Sequence, residues 1–276
     1  NERLMNARHA YFAMTSYFDS LVGGLISALK QTSQHENTYI FIISDHGEMI
    51  GERGMWYKFN PFEGSVRVPM IASGPEFKSG HTETSLTSLA DLLPTLVNIA
   101  SKTDEYDFTT PIDGKSLFNL PGKGSKEDIV FFEYCGEGVN APALMCRQTH
   151  FKYVSCGNDP EMLFDLEKDP NELNNLALQT AYSDILLRMR KHVDEKWNKS
   201  ELTTCVLASQ QKRLFVQEAM KFGTFPSWDY TPPFDASRSY VRGAIDPNTT
   251  ATKARKRFPF VPTTEPEKPR IKSTKE

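Results

Sequence analysis

Thr38-Tyr39-Ile40-Phe41-Ile42-Ile43-Ser44, followed at once by Asp45-His46-Gly47-Glu48, is the stretch on which the reading of this chain turns. The uncharged run, rich in β-branched and aromatic residues, predicts a strand buried on both faces, as in a parallel sheet covered by helices. Asp45 and His46 stand at its carboxyl end, where open α/β sheets collect their ligands. Gly47 lets the chain turn sharply and come close to a bound group. Neighbouring side chains on a strand face opposite ways, but a strand terminus relaxes that alternation, so both residues can reach one metal. A carboxylate oxygen with an imidazole nitrogen suits calcium, magnesium or manganese. The same pair also suits plain turn chemistry. Two ligands do not complete a site, so any metal here needs further ligands from elsewhere.

Working outward, residues 6–31 place Tyr11, Met14, Phe18, Leu21, Leu25 and Leu29 at helical spacing and predict a core-packing helix. Residues 47–64 hold four glycines and one proline and read as a loop. Lys58 lies in it, either as a solvated charge or as a cation placed to stabilise a tetrahedral oxyanion. Residues 68–73 form a second buried strand, and 88–100 a helix that Pro94 kinks or forces to begin twice. That order indicates an α/β sheet with crossover connections. From residue 129 the texture changes. Residues 129–134, 143–148, 151–156 and 161–166 are short strands separated by Gly, Asn, Asp and Pro, which predicts a small antiparallel sheet. Helices are expected near 176–197 and 205–222. Beyond Phe222 aromatic and proline residues alternate, and the last residues are polar enough for disorder.

The 276 residues carry 32 Lys+Arg against 35 Asp+Glu, a net charge of −3, which argues against general electrostatic binding of nucleic acid. Lys253-Ala254-Arg255-Lys256-Arg257 is read as an inter-subunit or solvated segment rather than a nucleic-acid patch. No run approaches about 18 uninterrupted apolar residues, so no membrane span is expected. Four cysteines without a CxxC pair are too few for a disulfide scaffold and are expected as free thiols in a reducing, cytoplasmic setting. No signal peptide is visible. The chain opens at Asn1 on the threshold of a helix, and further sequence is expected before it.

Asp45-His46-Gly47-Glu48, Gly51-Glu52-Arg53-Gly54, Trp56-Tyr57-Lys58 and Pro61-Phe62-Glu63-Gly64 resemble, in order, the second half of the sulfatase family, within the alkaline-phosphatase-like superfamily. Val66-Arg67-Val68-Pro69-Met70 and Leu89-Ala90-Asp91-Leu92-Leu93-Pro94-Thr95-Leu96 continue the resemblance, which runs from about residue 6 to about 260. Phe131-Phe132-Glu133-Tyr134, the KRLFVQEA segment at 212–219 and the KRFPF segment at 256–260 are similar to the choline-sulfatase subfamily.

The resemblance implies an α/β fold: the C-terminal part of an alkaline-phosphatase-like three-layer sandwich over 1–120, then a small antiparallel-sheet subdomain with helix over 121–200. A choline-sulfatase-type domain and oligomerisation tail would cover 201–262 and a disordered tail 263–276. It implies that Asp45 and His46 are the second pair of ligands to a catalytic divalent cation, calcium before magnesium or manganese. Lys58 would contact the sulfate and its bridging oxygen. Glu137 would meet a trimethylammonium group, which cannot donate a hydrogen bond and so needs carboxylates and aromatic faces. Asn248, with Asp246 two residues before it, falls nearest the second position of that pocket, which a neighbouring subunit's tail would complete in a homo-oligomer. The implied reaction is hydrolysis of choline O-sulfate to choline and sulfate. Rival readings are a phosphonate or phosphate monoester hydrolase of the same superfamily, or a non-catalytic truncated assembly module.

The family's nucleophile is a formylglycine made within a C/S-x-P-x-R motif. None of the cysteines or serines here fits: Ser73-Gly74-Pro75 comes nearest, but Phe77 stands where arginine is required. The family's first metal carboxylate, on its opening strand, has no counterpart either. The chain is therefore expected to hold half a metal site and no nucleophile, and to be inactive alone, whether as a fragment, a split gene product or a relic.

Overall fold

A computed structural model describes residues 2–103 and 108–223. The chain divides within its last described helix into two compact units, Asn1–Arg213 and Leu214–Glu276. Asp246, Asn248, the basic segment 253–257 and the tail 263–276 lie outside the described residues.

Helix α1 spans Glu2–Gln31, and none of its described residues is buried. Met5, Phe12, Met14, Tyr17, Leu21 and Leu25 are all exposed. The helical periodicity is real, but the expected packing into a core is not found among the described residues. The helix is held instead by Arg8, whose Nε donates to the Ile50 carbonyl at 2.9 Å and whose Nη2 meets Glu52 at 3.1 Å. By length and composition α1 is also long and apolar enough to cross a membrane, a test that an apolar helix of a globular domain can equally pass.

Strand β1 (Ile40–Ile43) ends at the Asp45-His46 pair; the short strands β2 (Met49–Ile50) and β3 (Trp56–Tyr57) form a hairpin after it. Helix α2 (Glu63–Val66) leads into β4 (Met70–Ser73), which pairs antiparallel with β1 from Ile40↔Ser73 to Ile43↔Met70. This corrects two expectations. The strand is not fully buried, since Ile43 and its neighbour Ile71 are exposed. Its one partner among the described residues is antiparallel, so the covering layers that its apolar run calls for are not supplied here. Phe77 packs edge-on against Phe41 at 5.7 Å and lies 5.0 Å from Phe118.

Helix α3 (Leu92–Ser101) begins twice, as its proline requires. A 3-10 turn at Leu89–Asp91 is closed by a Ser88/Asp91 capping box, and Pro94 falls in the first turn of the α-helix, where a missing N–H costs least.

The second part of this unit matches its sequence pattern closely. Strands β5 (Ile129–Tyr134), β6 (Ala143–Gln148), β7 (Phe151–Cys156) and β8 (Met162–Asp165) form one antiparallel sheet in chain order. Helix α4 (Ser183–Lys196) packs on it, and α5 (Lys199–Met220) follows. Leu144, Cys146, Tyr153, Leu163, Met189 and Val193 make its buried core. All four cysteines are free, and burial pushes the Cys146 thiol up to about 12.

Two outcomes follow. Leu163→Ala should lower stability to urea by about 2–5 kcal/mol, whereas the exposed Leu178→Ala should change it by less than about 0.5 kcal/mol. Glu161 is held below the usual carboxylate range, chiefly by Arg190, whose Nε donates to it at 2.8 Å. A carboxylate depressed by folding stabilises the fold above its unfolded pKa, and that contribution is lost as pH falls through its folded value. The urea midpoints of the native chain and Glu161→Gln should therefore differ at pH 7 and converge as pH falls below the ordinary glutamate value of about 4.3.

Candidate functional site

The site is built where β1 stops. Ser44 Oγ donates to the His46 carbonyl at 2.7 Å, which tightens the turn leaving the strand. The Gly47 amide donates to the Ser65 carbonyl at 2.7 Å, bringing the turn against the start of α2. A Cβ at Gly47 would strike the Gly64 carbonyl oxygen, and one at Gly64 would lie 2.7 Å from Met49 Sδ. Gly47 is there because two backbone segments pass too closely for a side chain, whereas at Gly64 the space is taken by the buried Met49 side chain.

Within this turn Asp45, His46 and Lys58 come together. His46 Nδ1 lies 2.8 Å from the Gly47 carbonyl, an acceptor only, so Nδ1 carries the proton and Nε2 presents its lone pair. Lys58 Nζ donates to that lone pair at 2.6 Å, and Asp45 Oδ2 lies 3.4 Å from the same nitrogen. Asp45 Oδ1 accepts the His46 amide at 3.1 Å. The Asp45 carboxylate is otherwise open to solvent, with its side chain 84% exposed, so it is not tied into the interior by surrounding amides. An oriented imidazole nitrogen beside a free carboxylate is the donor set of a hard to intermediate divalent cation. The residue types fit such an ion, which would take the Nε2 lone pair only once Lys58 Nζ, its partner in this structure, turns away.

The loop that carries Lys58 is strained. Arg53 and Tyr57 adopt left-handed φ values of 53° and 69°, conformations that cost a non-glycine residue roughly 1–2 kcal/mol each. Such strain persists where the surroundings over-determine it, and it gathers at functional loops. Around Arg53 the surroundings are an ionic cluster that sequence reading missed. Lys152, with a fully buried side chain, places Nζ 3.0 Å from Glu63 and 2.8 Å from Glu172. Arg147 meets Glu63 at 3.2 Å, and Arg53 stacks 4.2 Å over the Phe62 ring while donating to the Glu172 carbonyl. A lysine on a strand whose other residues are mostly apolar was the available signal.

Glu137 is exposed in the turn after β5. Tyr134 donates its hydroxyl to the Glu137 carbonyl at 2.9 Å, and its ring centroid lies 6.4 Å from Phe59, the residue after Lys58. The Glu137 turn is thus linked to the Lys58 loop through two aromatic rings. Asn248 is not among the described residues.

A second group of metal-ligating side chains, His150, Asp165 and Glu167, lies with its ligand atoms within 4.8 Å of one another. Asp165 Oδ1 accepts the amides of Glu167 and Lys168, at 3.2 and 3.3 Å, and Oδ2 pairs with Lys168 Nζ at 3.1 Å. Its carboxylate is already committed to the turn after β8, which makes this group a turn device rather than a metal centre.

Comparison with known proteins bears on the family of the chain and its fold. Residues 1–102 match the family model described as sulfatase, and residues 204–258 match the one described as choline sulfatase enzyme C terminal. The chain is 38% identical to a choline-sulfatase of Rhizobium meliloti (strain 1021) over 261 residues, covering 94% of this chain and 50% of that protein. Among solved structures it is similar to a 2-O GAG sulfatase (28% identity, TM-score 0.60, covering 71% of this chain and 44% of that one). It is also similar to a phosphonate monoester hydrolase of Agrobacterium radiobacter (27% identity, TM-score 0.59, covering 68% and 40%). The chain spans half or less of the length of these relatives.

The site geometry predicts unequal costs at two loop glycines. Gly54 has φ 73° and open space around it, so Gly54→Ala should cost about the 1–2 kcal/mol of left-handed strain. Gly47→Ala must separate two backbone segments and should cost more, measured as the urea midpoint, and should also expose residues 47–64 to limited proteolysis.

Proposed function

Because the chain belongs to the sulfatase family, we propose that it supplies the carboxy-terminal side of the active site of a sulfuric ester hydrolase acting on choline O-sulfate. The convergence of Asp45 Oδ2, His46 Nε2 and Lys58 Nζ at the end of β1 carries this reading. Asp45 and His46 would hold a divalent cation, calcium before magnesium or manganese. When bound, such a cation supplies positive charge to the sulfuryl oxygens. Lys58 holds an ammonium beside the same point and can donate to the oxygen bridging sulfur and the leaving alcohol as negative charge builds there. Glu137, with the Tyr134 and Phe59 rings, would receive a quaternary ammonium by charge and cation–π attraction. Similarity to choline-sulfatase over 94% of the chain favours choline as the leaving group. Asn248, within the segment matched by the choline-sulfatase C-terminal model, would complete that pocket from a neighbouring subunit.

The remaining cation ligands and the nucleophile, a formylglycine in this family, are assigned to a part of the fold corresponding to the half of the relatives that this chain does not match. The chain alone would then be inactive. The phosphonate monoester hydrolase neighbour gives the second reading: the same cation, lysine and fold can serve a phosphonate or phosphate ester.

A chimera joining the amino-terminal half of the Rhizobium meliloti choline-sulfatase to this chain separates these readings. It should hydrolyse choline O-sulfate, lose at least ~100-fold in kcat/KM with Lys58→Ala, and show a raised KM with Glu137→Gln for choline O-sulfate but not for an uncharged sulfate ester. Preference for a phosphonate ester, or activity indifferent to Lys58, would overturn the sulfatase reading.

A further inference from the structure

We infer that Lys152, on the small antiparallel sheet, is a positioning residue for the His46–Lys58 pair, acting through Glu63 and Ser65. The inference rests on the reading of those two side chains as the site. Its basis is a continuous set of contacts. Lys152, 0% exposed, is gripped by the carboxylates of Glu63 and Glu172. Glu172 Oε2 also accepts the Glu63 amide at 2.7 Å, so both the side chain and the backbone of Glu63 are fixed from the sheet side. Glu63 is the first residue of α2, and Ser65 is its only buried one. Ser65 then reaches the site by two routes: its hydroxyl donates to the Lys58 carbonyl, and its own carbonyl accepts the Gly47 amide at 2.7 Å. Gly47 in turn offers the carbonyl that holds the His46 Nδ1 proton. One short helix therefore sets both ends of the Lys58–His46 contact, and one buried ammonium sets that helix.

The charges make this arrangement all-or-none. Lys152 and Arg147 balance Glu63 and Glu172 in a region with little solvent. Removing the ammonium alone leaves two carboxylates with a single partner cation, and they must separate or take up water or protons. Either response moves α2. A cluster that only glued two layers together would weaken the fold as a whole without changing what His46 hydrogen-bonds.

The test is Lys152→Met in the full 276-residue chain, read by the nitrogen-15 shifts of the His46 ring and by hydrogen exchange of the Gly47 amide. Leu163→Ala serves as the control, a core truncation that touches none of these contacts. In folded Lys152→Met, the His46 ring should lose its single Nδ1–H pattern, and Gly47 should exchange at least about tenfold faster than in the control. The double variant Lys152→Met/Glu172→Gln, again charge-balanced, should restore much of both signals. An unchanged His46 pattern with Gly47 protection equal to the control would overturn the inference. If Lys152→Met does not fold, Ser65→Ala decides. It removes the hydroxyl bridge without touching the charges, and an unchanged His46 ring there overturns the inference while a shifted one supports it. None of these readouts needs activity. A chimera that fails on every ester while His46 still responds to Lys152 refutes the catalytic reading and leaves the positioning role standing.

Discussion

The bond from the Gly47 amide to the Ser65 carbonyl, made possible because Gly47 lacks a side chain, is the constraint on which the site depends. It brings the turn after β1 against the loop that carries Lys58, so His46 and Lys58, twelve positions apart, become neighbours. With the turn in place, the Gly47 carbonyl selects the tautomer of His46, and that tautomer aims Nε2 at Lys58 and Asp45. The left-handed backbone at Arg53 is sustained by its bond to the Glu172 carbonyl, beside the ion cluster around Lys152, and by its stacking on Phe62. Local conformation, packing and the donor set thus form one dependency rather than three separate features.

The unevenness of the fold belongs to the same picture. The small sheet has a closed core of its own, while α1 and the β1–β4 pair present apolar side chains to solvent. The chain matches half the length of the choline-sulfatase it is similar to. The site is one-sided in the same way. It places a carboxylate, an imidazole and a lysine at an edge, and under the proposed function further cationic and nucleophilic groups would be supplied opposite them.

Much of this was legible in the sequence where local rules decide. The alternation and turn residues of 129–166 define four strands in the order found, and Pro94 marks a helix that starts twice. Asp45, His46 and Lys58 could be named from their place after the buried run and from the family resemblance. The pairing of β1 could not be read, because an apolar run shows that a strand wants covering, not which strand lies beside it. The Lys152 cluster escaped for a related reason: its members lie up to 109 positions apart in the chain, and no local pattern links a strand lysine to a loop glutamate. Glu137 was named from resemblance, and the structure adds its tie to Phe59 through Tyr134, a contact across distant segments.

Paramagnetic broadening of the histidine ring signals by substoichiometric manganese tests the central claim most directly, because it sets the solvent-open Asp45 carboxylate and its His46 neighbour, from which a cation must displace Lys58, against the committed carboxylate near His150. The account predicts that His46 broadens first and that Asp45→Ala abolishes the effect while His150 stays sharp. Broadening of His150 ahead of an unaffected His46 would contradict it.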